Sequence, residues 1–350
     1  MATLVSEQQY DFWARELGSI AAWRRVFARV ESVRPEAGDT VSIVLRVNRN
    51  FSPAAAGQHV TLSVDIDGRR TSRSYSLSRP LDKGRVCLTV RREPGGVVSN
   101  YLHDRLQLGD MVELSQPFGE LGTGLVGGDR PLLMLASGSG ITAVYNFLAK
   151  RADAGQALNG ALLYWEKHPD RFCFDAELAQ LQAAHPGLQL RRFCNAAEPV
   201  DGLRRGRFDA AMAGALRNEF PTAAVLACGG SAFVDAVRQE LATAPGGFSA
   251  EAFTPPSSPH VVDGEETFFD LVLQRSNRRL RVSSRQPLLV ALEEAGMSPP
   301  HGCRMGICNS CSCQQRRGET VNDVNGARLQ GGGAVRLCVS RASSDLELEL

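Results

Sequence analysis

Two kinds of hydrophobic pattern run along the chain, and the first fills its N-terminal third. Apolar residues occupy every second position there, which puts one face of each segment in a core and the other in water. The pattern predicts an antiparallel sheet of the sandwich or barrel type. The alternating positions are Val41, Ile43, Leu45 and Val47, then Val60, Leu62, Val64 and Ile66, then Val86, Leu88 and Val90.

The middle of the chain replaces this alternation with short, continuous apolar runs. These runs are PLLMLA (131–136), ALLYW (161–165) and AAVLAC (223–228), and helix-like stretches such as ITAVYNFLAKR, FDAELAQLQAA and FVDAVRQELA separate them. Strands that are buried on both faces and alternate with helices predict a parallel, doubly wound α/β sheet. The last residues, DLELEL, return to strand-like alternation.

Two breaks in the pattern predict domain boundaries. Residues 254–259 read TPPSSP, where proline prevents helix and ladder continuation, so we interpret them as a linker. Residues 124–131 read GLVGGDRP and predict a second boundary. Near the N-terminus, residues 7–27 carry apolar side chains at near-helical spacing. They predict a helix or coil packed on the barrel, with a partner or membrane contact as the alternative. Those side chains are Trp13, Leu17, Ile20 and Phe27.

Composition narrows the function classes. The 350 residues include 39 Lys+Arg and 38 Asp+Glu, a formal net charge of +1, which removes any whole-chain electrostatic case for binding nucleic acid or an acidic membrane. No apolar run approaches the ~18 to 20 residues of a membrane span. The N-terminus lacks the features of a secretion signal, so we expect a cytoplasmic protein. In that reducing compartment, the nine cysteines suit metal or redox chemistry better than disulfides.

The cysteine spacing near the C-terminus points to one kind of metal centre. Cys303, Cys308 and Cys311, with Cys338 beyond, form the C-x4-C-x2-C…C pattern of plant-type 2Fe-2S ferredoxins. Zinc is the competing metal, but zinc ribbons use two C-x2-C pairs and Cys338 has no such companion. The spacing selects Cys311 as the third ligand, so we interpret neighbouring Cys313 as a small buried residue.

Two further motifs have the chemistry of phosphate binding. We place Arg73-Ser74-Tyr75-Ser76 at the end of the Val60 strand, where the guanidinium can hold a diphosphate bidentately and the phenol ring offers a flat surface. Further on, Gly95-Gly96-Val97-Val98-Ser99 makes a glycine-rich turn into a helix, whose N–H groups favour phosphate. An R-x-Y-S sequence that occurred by chance would be a turn with a surface arginine. The two motifs indicate a phosphate site only when they occur together.

A second glycine-rich turn follows the first parallel strand. Ala136-Ser137-Gly138-Ser139-Gly140-Ile141-Thr142 lets the backbone approach a pyrophosphate. A later strand ends in Cys228-Gly229-Gly230, at the carboxyl edge where such sheets bind ligands. A plain glycine turn and a buried structural cysteine are the alternatives.

The order of these motifs resembles the ferredoxin-NADP reductase superfamily, and specifically its three-domain members that end in a 2Fe-2S domain. RSYS, GGVVS, ASGSGIT, ACGG and Glu251-Ala252-Phe253 precede the ferredoxin-like tail, so the resemblance covers residues 24–350. The tail looks most like reductases that supply membrane di-iron fatty-acyl desaturases and hydroxylases. Reductases of Rieske-type or steroid hydroxylases are near neighbours. The chain departs from the family at Ser137, usually glycine, and at Ala143 and Gly230, usually proline.

The resemblance implies roles for individual residues. Arg73 would hold the FAD diphosphate with Gly96 and Ser99, Tyr75 would contact the flavin-ribityl region, and Ser76 would lie near flavin N5. The resemblance also implies that Ser76, Cys228 and Glu251 form the catalytic site by tuning and orienting a direct hydride transfer. The other implied cofactor contacts are Ser74, Gly95, Val98, Gly138, Gly140, Thr142, Lys167, Arg171, Gly229 and Phe253.

The same resemblance implies a multidomain oxidoreductase. Its domains would be an N-terminal extension (1–23), an FAD-binding antiparallel β-barrel (24–126), an NAD(P)-binding α/β domain (127–254) and an α+β, β-grasp ferredoxin domain (260–350). Electrons would pass from NAD(P)H through FAD and a 2Fe-2S cluster to a terminal oxygenase or desaturase. FMN is the alternative flavin, and a non-catalytic iron-sulfur sensor is the alternative function.

The nucleotide preference depends on charges after the second parallel strand. Glu166 suits a ribose 2′-hydroxyl, whereas Lys167, Arg171, Arg191 and Arg192 suit a 2′-phosphate. We predict that NADPH is preferred over NADH, and solvated surface charges are the alternative interpretation.

Overall fold

The protein is described here from a computed structural model, which covers residues 6–82, 84–125, 130–194, 200–254, 265–306, 309–324 and 326–350. The chain divides into two compact units, Met1–Phe253 and Thr254–Leu350. The division falls at the start of the predicted linker, most of which lies outside the described residues.

The first half of the N-terminal unit is an antiparallel sheet with strand order β4-β3-β6-β1-β2-β5. Its alternating apolar side chains point into one core, which the helix α2 also lines. An antiparallel bridge between Leu77 and Leu88 joins the two edges of the sheet, so it closes into a barrel at that end. The strands are β1 (Val26–Ala37), β2 (Thr40–Val47), β3 (His59–Ile66), β4 (Arg69–Ser76), β5 (Arg85–Arg91) and β6 (Met111–Leu114), and α2 is Val97–Asp104.

The residues before the barrel only partly match their prediction. Helix α1 spans Glu7–Glu16, and Phe27 lies in β1 instead of continuing the helix. The buried carboxylate of Asp11 accepts a hydrogen bond from the Trp23 backbone N–H at 2.8 Å, which attaches the helix to the segment that follows. The expected packing against the barrel is wrong for two side chains: Trp13 is 60% exposed and Leu17 is 82% exposed.

The second half of this unit is a five-stranded parallel sheet with order β11-β10-β7-β8-β9. The strands are β7 (Leu132–Ser137), β8 (Gly160–Glu166), β9 (Leu188–Cys194), β10 (Ala224–Gly229) and β11 (Phe248–Ala252). Helices α3 (Ile141–Asp153) and α4 (Asp175–Ala184) cover one face, and α5 (Ala210–Glu219) and α6 (Ser231–Leu241) cover the other. Because both faces are buried, the strands are continuously apolar, and the predicted doubly wound sheet is confirmed.

Over its described residues, the C-terminal unit combines a mixed sheet, a small antiparallel sheet and one α-helix. The mixed sheet has order β13-β12-β19-β14-β17, in which only β12 and β19 run parallel, and the small sheet has order β16-β15-β18. The elements are β12 (Phe268–Leu273), β13 (Arg278–Ser283), α7 (Leu288–Glu294), β14 (Ser312–Arg317), β15 (Glu319–Asn322), β16 (Arg328–Gln330), β17 (Gly333–Arg336), β18 (Ser340–Ala342) and β19 (Leu346–Leu348).

The core of the C-terminal unit gathers side chains from α7 and both ends of the chain segment. Leu346 and Leu348 are buried and Leu350 packs against the same core, as the alternation in DLELEL predicts. None of the helices in the described parts of the chain is long and apolar enough to cross a membrane.

Candidate functional site

The turn after β7 lies against the end of β10. The chain makes a short 3-10 turn over Gly138–Gly140 before α3 begins at Ile141. A Cβ on Gly140 would lie 2.1 Å from the carbonyl oxygen of Cys228, so only glycine fits this approach. The buried Thr142 hydroxyl donates to the Ser139 carbonyl oxygen at 2.9 Å and fixes the start of the helix. The arrangement leaves a strand-turn-helix with the form of a pyrophosphate site.

The end of β10 also brings the predicted acidic and aromatic residues to the same edge. In the parallel register, Cys228 lies opposite Glu251, and the Phe253 N–H donates to the Gly229 carbonyl oxygen at 2.8 Å. Burial, and secondarily the neighbouring Glu251, raises the pKa of the Cys228 thiol well above its ordinary value. Residues from two separate motifs, Cys228-Gly229 and Glu251 to Phe253, therefore meet at this edge of the sheet.

The RSYS motif lies on its own strand, which corrects its expected place at the end of the Val60 strand. That strand, β3, ends at Ile66, and a tight turn leads into β4, which contains the whole motif. The antiparallel register sets Arg73 opposite Leu62 and Ser76 opposite His59. The Ser76 hydroxyl is buried and has no hydrogen-bond partner among the described residues.

Arg73 and Tyr75 leave polar and aromatic surface available to a ligand. The exposed Arg73 guanidinium donates to the Ser72 carbonyl oxygen at 2.7 Å, and no described carboxylate pairs with it. The half-buried Tyr75 ring packs against the barrel core, and burial raises the pKa of its hydroxyl. The neighbouring Ser74 hydroxyl bonds to Thr61 at 3.2 Å within the sheet.

The turn from Gly95 into α2 is shaped by Ser99 and Val98. The Ser99 hydroxyl accepts a hydrogen bond from the Glu93 N–H at 3.1 Å, and Gly96 is the residue that caps the helix. The Val98 side chain is buried in the barrel core. Val98 was predicted as a cofactor contact, and it can therefore contact a ligand through its backbone but not through its side chain.

Sequence reasoning missed His59, which joins the barrel to the edge of the parallel sheet. Its Nδ1 lies 3.4 Å from Oε1 of Glu251, and the two side chains are 2% and 8% exposed. Burial lowers the pKa of His59 to about 4 and raises that of Glu251 to about 7. The sequence contained one indication of this contact. Val60 and Leu62 point into the barrel core, so His59 points to the outer face and can be buried only if another part of the chain packs over it.

Arg91 is the second residue that sequence reasoning missed. From β5 it forms a salt bridge with Glu166 at the end of β8, and a Cβ built on Gly138 would lie 3.0 Å from its Nη1. The Tyr164 hydroxyl also donates to Glu166 Oε1 at 3.0 Å. Burial raises the pKa of Glu166, with Arg91 acting in the opposite direction.

These contacts change the interpretation of the charges after β8. The Glu166 side chain is 1% exposed and paired with Arg91, so its carboxylate is not open to a ribose hydroxyl in this structure. Arg171 pairs with Asp39 Oδ2 at 3.2 Å, and Arg192 with Asp175 at 3.1 Å. Lys167 is exposed. Of the predicted 2′-phosphate ligands, Lys167 is thus the most accessible.

Two of the predicted cluster cysteines meet in the C-terminal unit. The sulfurs of the buried Cys311 and Cys338 lie 3.1 Å apart, and the Met305 N–H donates to the Cys303 sulfur at 3.3 Å. Cys308 lies outside the described residues. Cys313, by contrast, lies on β14 opposite Val335 and packs partly buried against the core.

This donor set fits a thiolate-held cluster. Backbone N–H groups that point at cysteine sulfur are the environment such clusters use. Over the described residues, which omit Cys308, no group of three or more His, Cys, Asp or Glu side chains stands in metal-site geometry. In the N-terminal unit, the unpaired Ser76 hydroxyl and the uncompensated Arg73 fit a polar flavin carrying a diphosphate.

Three family profiles match the chain in the predicted order. They are an oxidoreductase FAD-binding domain (residues 28–122), an oxidoreductase NAD-binding domain (134–239) and a 2Fe-2S iron-sulfur cluster binding domain (271–343). A barrel followed by a doubly wound sheet and a cysteine-bearing mixed sheet, with these matches, defines an NAD(P)H-dependent flavin and iron-sulfur oxidoreductase.

Individual relatives extend over nearly the whole chain. A Mycobacterium tuberculosis protein named NADPH oxidoreductase is 30% identical over 93% of this chain and 85% of its own length. The glycine betaine monooxygenase reductase subunit of Chromohalobacter salexigens is 26% identical over 84% and 86% of the two chains. The solved structure of phthalate dioxygenase reductase is 25% identical, with a TM-score of 0.58, and the match covers 93% of this chain and 97% of that one.

The chain belongs to the ferredoxin-NADP reductase superfamily, in the group that carries a C-terminal ferredoxin domain. The predicted fold class, oxidoreductase class and cofactor set are confirmed.

We expect Arg73→Ala to lose flavin. A bound flavin diphosphate would cover the guanidinium, and truncating one partner of such a desolvated, hydrogen-bonded charge pair costs about 2 to 5 kcal/mol, or roughly 30- to 5,000-fold in dissociation constant. The measurement is flavin occupancy after gel filtration, with reconstitution to obtain the dissociation constant. Arg69→Ala is the matched control, because Arg69 is an exposed arginine at the far end of the same strand. Full flavin occupancy in Arg73→Ala would show that Arg73 does not hold the diphosphate.

Proposed function

We propose that the protein is the reductase component of an oxygenase system and passes electrons from NAD(P)H through FAD and a 2Fe-2S cluster to a terminal oxygenase. The proposal rests on one observation: a single chain matches an FAD-binding domain, an NAD-binding domain and a 2Fe-2S cluster binding domain. A bound flavin supplies the conversion of a two-electron hydride into single electrons for the cluster.

Our proposed acceptor is a di-iron fatty-acyl desaturase or hydroxylase, because the tail resembles the reductases of such enzymes. A second candidate acceptor is a Rieske-type or steroid hydroxylase. The similarity to a monooxygenase reductase subunit supports this candidate equally well. Steady-state turnover with each class of oxygenase, with this protein as sole electron donor, separates the two candidates.

We assign the chain's own residues to three tasks. Arg73, with the turn around Gly95, Gly96 and Ser99, would hold the flavin diphosphate, while Tyr75 orients the ring system. The turn from Gly138 to Thr142, with Gly229 and Phe253, would bind the nicotinamide nucleotide. Ser76, Cys228 and Glu251 would line the place where the two ring systems meet, and their burial would keep water away from the transferred hydride.

The four proposed domains are those stated from the sequence, at 1–23, 24–126, 127–254 and 260–350. Each profile match falls within one of the last three. For the nucleotide we propose a preference for NADPH, supported by the exposed Lys167 and by the burial of Glu166 away from a ribose. Comparable kcat/KM values for NADPH and NADH would remove this preference.

Cys338→Ser tests the electron path in the full-length chain. Because a thiolate ligand is lost, we expect the cluster to become labile and NAD(P)H-driven cytochrome c reduction to lose most of its rate. Reduction of ferricyanide, a small acceptor that can reach the flavin directly, should persist. A chain that ends at residue 255 should behave in the same way, since every phosphate-binding motif lies before that point.

Cys313→Ser is the matched control and should retain the cluster and both activities, because Cys313 lies on β14 outside the loop. NAD(P)H must be the only reductant, because another donor could reduce the cluster directly and the assay would then measure electron flow in the opposite direction. Undiminished cytochrome c reduction by Cys338→Ser would take the cluster off the path. Zinc without inorganic sulfide in the purified protein would refute the cluster itself.

A further inference from the structure

His59 and Glu251 form a buried polar contact that none of the sequence motifs predicted. Besides the 3.4 Å approach of Nδ1 to Oε1, neither imidazole nitrogen and neither carboxylate oxygen has a hydrogen-bond partner among the described residues. Buried polar groups are ordinarily satisfied, so four unpaired atoms in one contact need an explanation.

The pair lies between the two halves of the N-terminal unit. His59 begins β3 in the barrel, and its strand partner Ser76 points to the same face. Glu251 lies on β11, beside Cys228. The Phe118 ring meets the imidazole edge-on with a centroid distance of 4.2 Å.

We propose that His59 is a positioning residue for Glu251: the two side chains share one proton, and His59 thereby fixes the orientation and the charge state of the carboxyl. Ser76 and Cys228, the other two proposed catalytic residues, flank this pair in the sheet registers. The inference rests on the proposed hydride-transfer site, but it concerns a contact that is measurable without turnover.

The surroundings offer the pair no other source of charge. Three elements pack against the pair. Strand β4 contributes the Ser76 hydroxyl, the segment after β6 contributes the Phe118 ring, and β10 contributes Cys228. Cys228 is the titratable one of these groups, and burial keeps its thiol neutral by raising its pKa. Within the described residues, the imidazole and the carboxyl are therefore each other's polar partner.

One proton is the arrangement that avoids an isolated buried charge. Protonating both groups would leave an imidazolium beside a neutral acid, and protonating neither would leave a bare carboxylate in apolar surroundings. With the pKa of His59 lowered to about 4 and that of Glu251 raised to about 7, the carboxyl holds the proton between those values and the imidazole accepts from it. The two groups titrate as a unit.

The test measures the carboxyl in the full-length, flavin-loaded protein without nucleotide or acceptor. Infrared spectroscopy follows the C=O band of the protonated acid with pH, and its disappearance in Glu251→Gln assigns it. His59→Phe removes the polar partner. Once the acid ionises, the other imidazole tautomer donates to the carboxylate, and this charge-assisted hydrogen bond is stronger than the one that the imidazole accepts from the neutral acid. Its loss should therefore raise the titration midpoint by about one pH unit or more. His59→Gln keeps a hydrogen-bonding side chain and should largely restore the wild-type midpoint. His185→Gln, on a half-exposed histidine after α4, should leave it unchanged.

A purely structural role for His59 would lower the thermal midpoint of both His59 variants and leave the carboxyl titration alone, which would overturn the proposal. If His59→Phe does not fold, the wild type still decides the question through nitrogen NMR of labelled histidine. A neutral His59 imidazole at about pH 6 supports a proton held on the Glu251 carboxyl, as proposed, and an imidazolium there would overturn that placement. Because NAD(P)H takes no part, failure of the proposed reductase function would leave either result intact.

Discussion

Gly140→Ala is expected to destabilise the protein and to weaken nucleotide binding. The backbone of Gly140 is already helical, with φ −58° and ψ −22°, so alanine brings no conformational strain. Its Cβ would lie 2.1 Å from the Cys228 carbonyl oxygen and 2.4 Å from the carbonyl carbon, so the end of β10 must move. Such overpacking costs about 1 to 3 kcal/mol, and more where the obstacle is backbone.

The measurements are the thermal midpoint and the KM for NADPH. We expect the midpoint to fall by roughly 5 to 10 °C, and the KM to rise because Cys228 and Gly229 shift with the strand. Gly214→Ala is the matched control, since that glycine is also helical, in α5, and has open space where a Cβ would stand. There alanine should stabilise by about 0.5 to 1 kcal/mol. Equal midpoints for the two variants would contradict the close approach at Gly140.

Local patterns were enough to predict the elements that build the sites. The glycine turn after β7, the end of β10 and the cysteine loop each lie within a few consecutive residues, so their spacing carries the chemistry directly. The strand that holds RSYS escaped detection because β4 reads RRTSRSYS and has no apolar alternation. The turn before it was recognisable: Asp67 and Gly68 both have positive φ, at +51° and +75°, as a two-residue hairpin requires.

The missed residues depend on contacts between distant parts of the chain. Arg91 meets Glu166 across 75 residues, and His59 on β3 meets Glu251 on β11. Neither pairing has a local signature, because it arises only when the barrel and the parallel sheet pack together. The same packing buries Glu166. From the sequence, an acid at this strand end suits a ribose hydroxyl, but in the structure its carboxylate pairs with Arg91.

A cluster centred on Arg79 also joins the barrel to the parallel sheet. The guanidinium donates to Glu36 on β1 at 2.8 and 2.9 Å and to Glu177 on α4 at 2.6 Å. It also lies 4.6 Å over the Phe174 ring. Burial favours the neutral acid, but hydrogen bonds from Arg79 and Ser42 prevail and hold the pKa of Glu36 below its ordinary value.

Arg79→Met is therefore expected to loosen the contact between these two halves. Removing the arginine leaves the nearly buried Glu36 carboxylate without its charged partner, and breaking a buried ion pair in this way costs about 3 to 5 kcal/mol. The thermal midpoint of the holoprotein at neutral pH should fall by roughly 10 °C. Arg105→Ala, which removes an exposed pair with Asp67, is the control and should cost no more than about 1 kcal/mol.

The pH dependence identifies the cause. Since the folded-state pKa of Glu36 is depressed, the stabilisation by Arg79 is fully present above the ordinary glutamate pKa and is lost as the pH falls through the folded value. The midpoints of wild type and Arg79→Met should accordingly converge in acid and differ most at neutral pH. Glu36→Gln in the Arg79→Met background should recover part of the loss, because it removes the stranded charge. A pH-independent difference between wild type and Arg79→Met would mean that the arginine stabilises through packing on Phe174 and not through its charge.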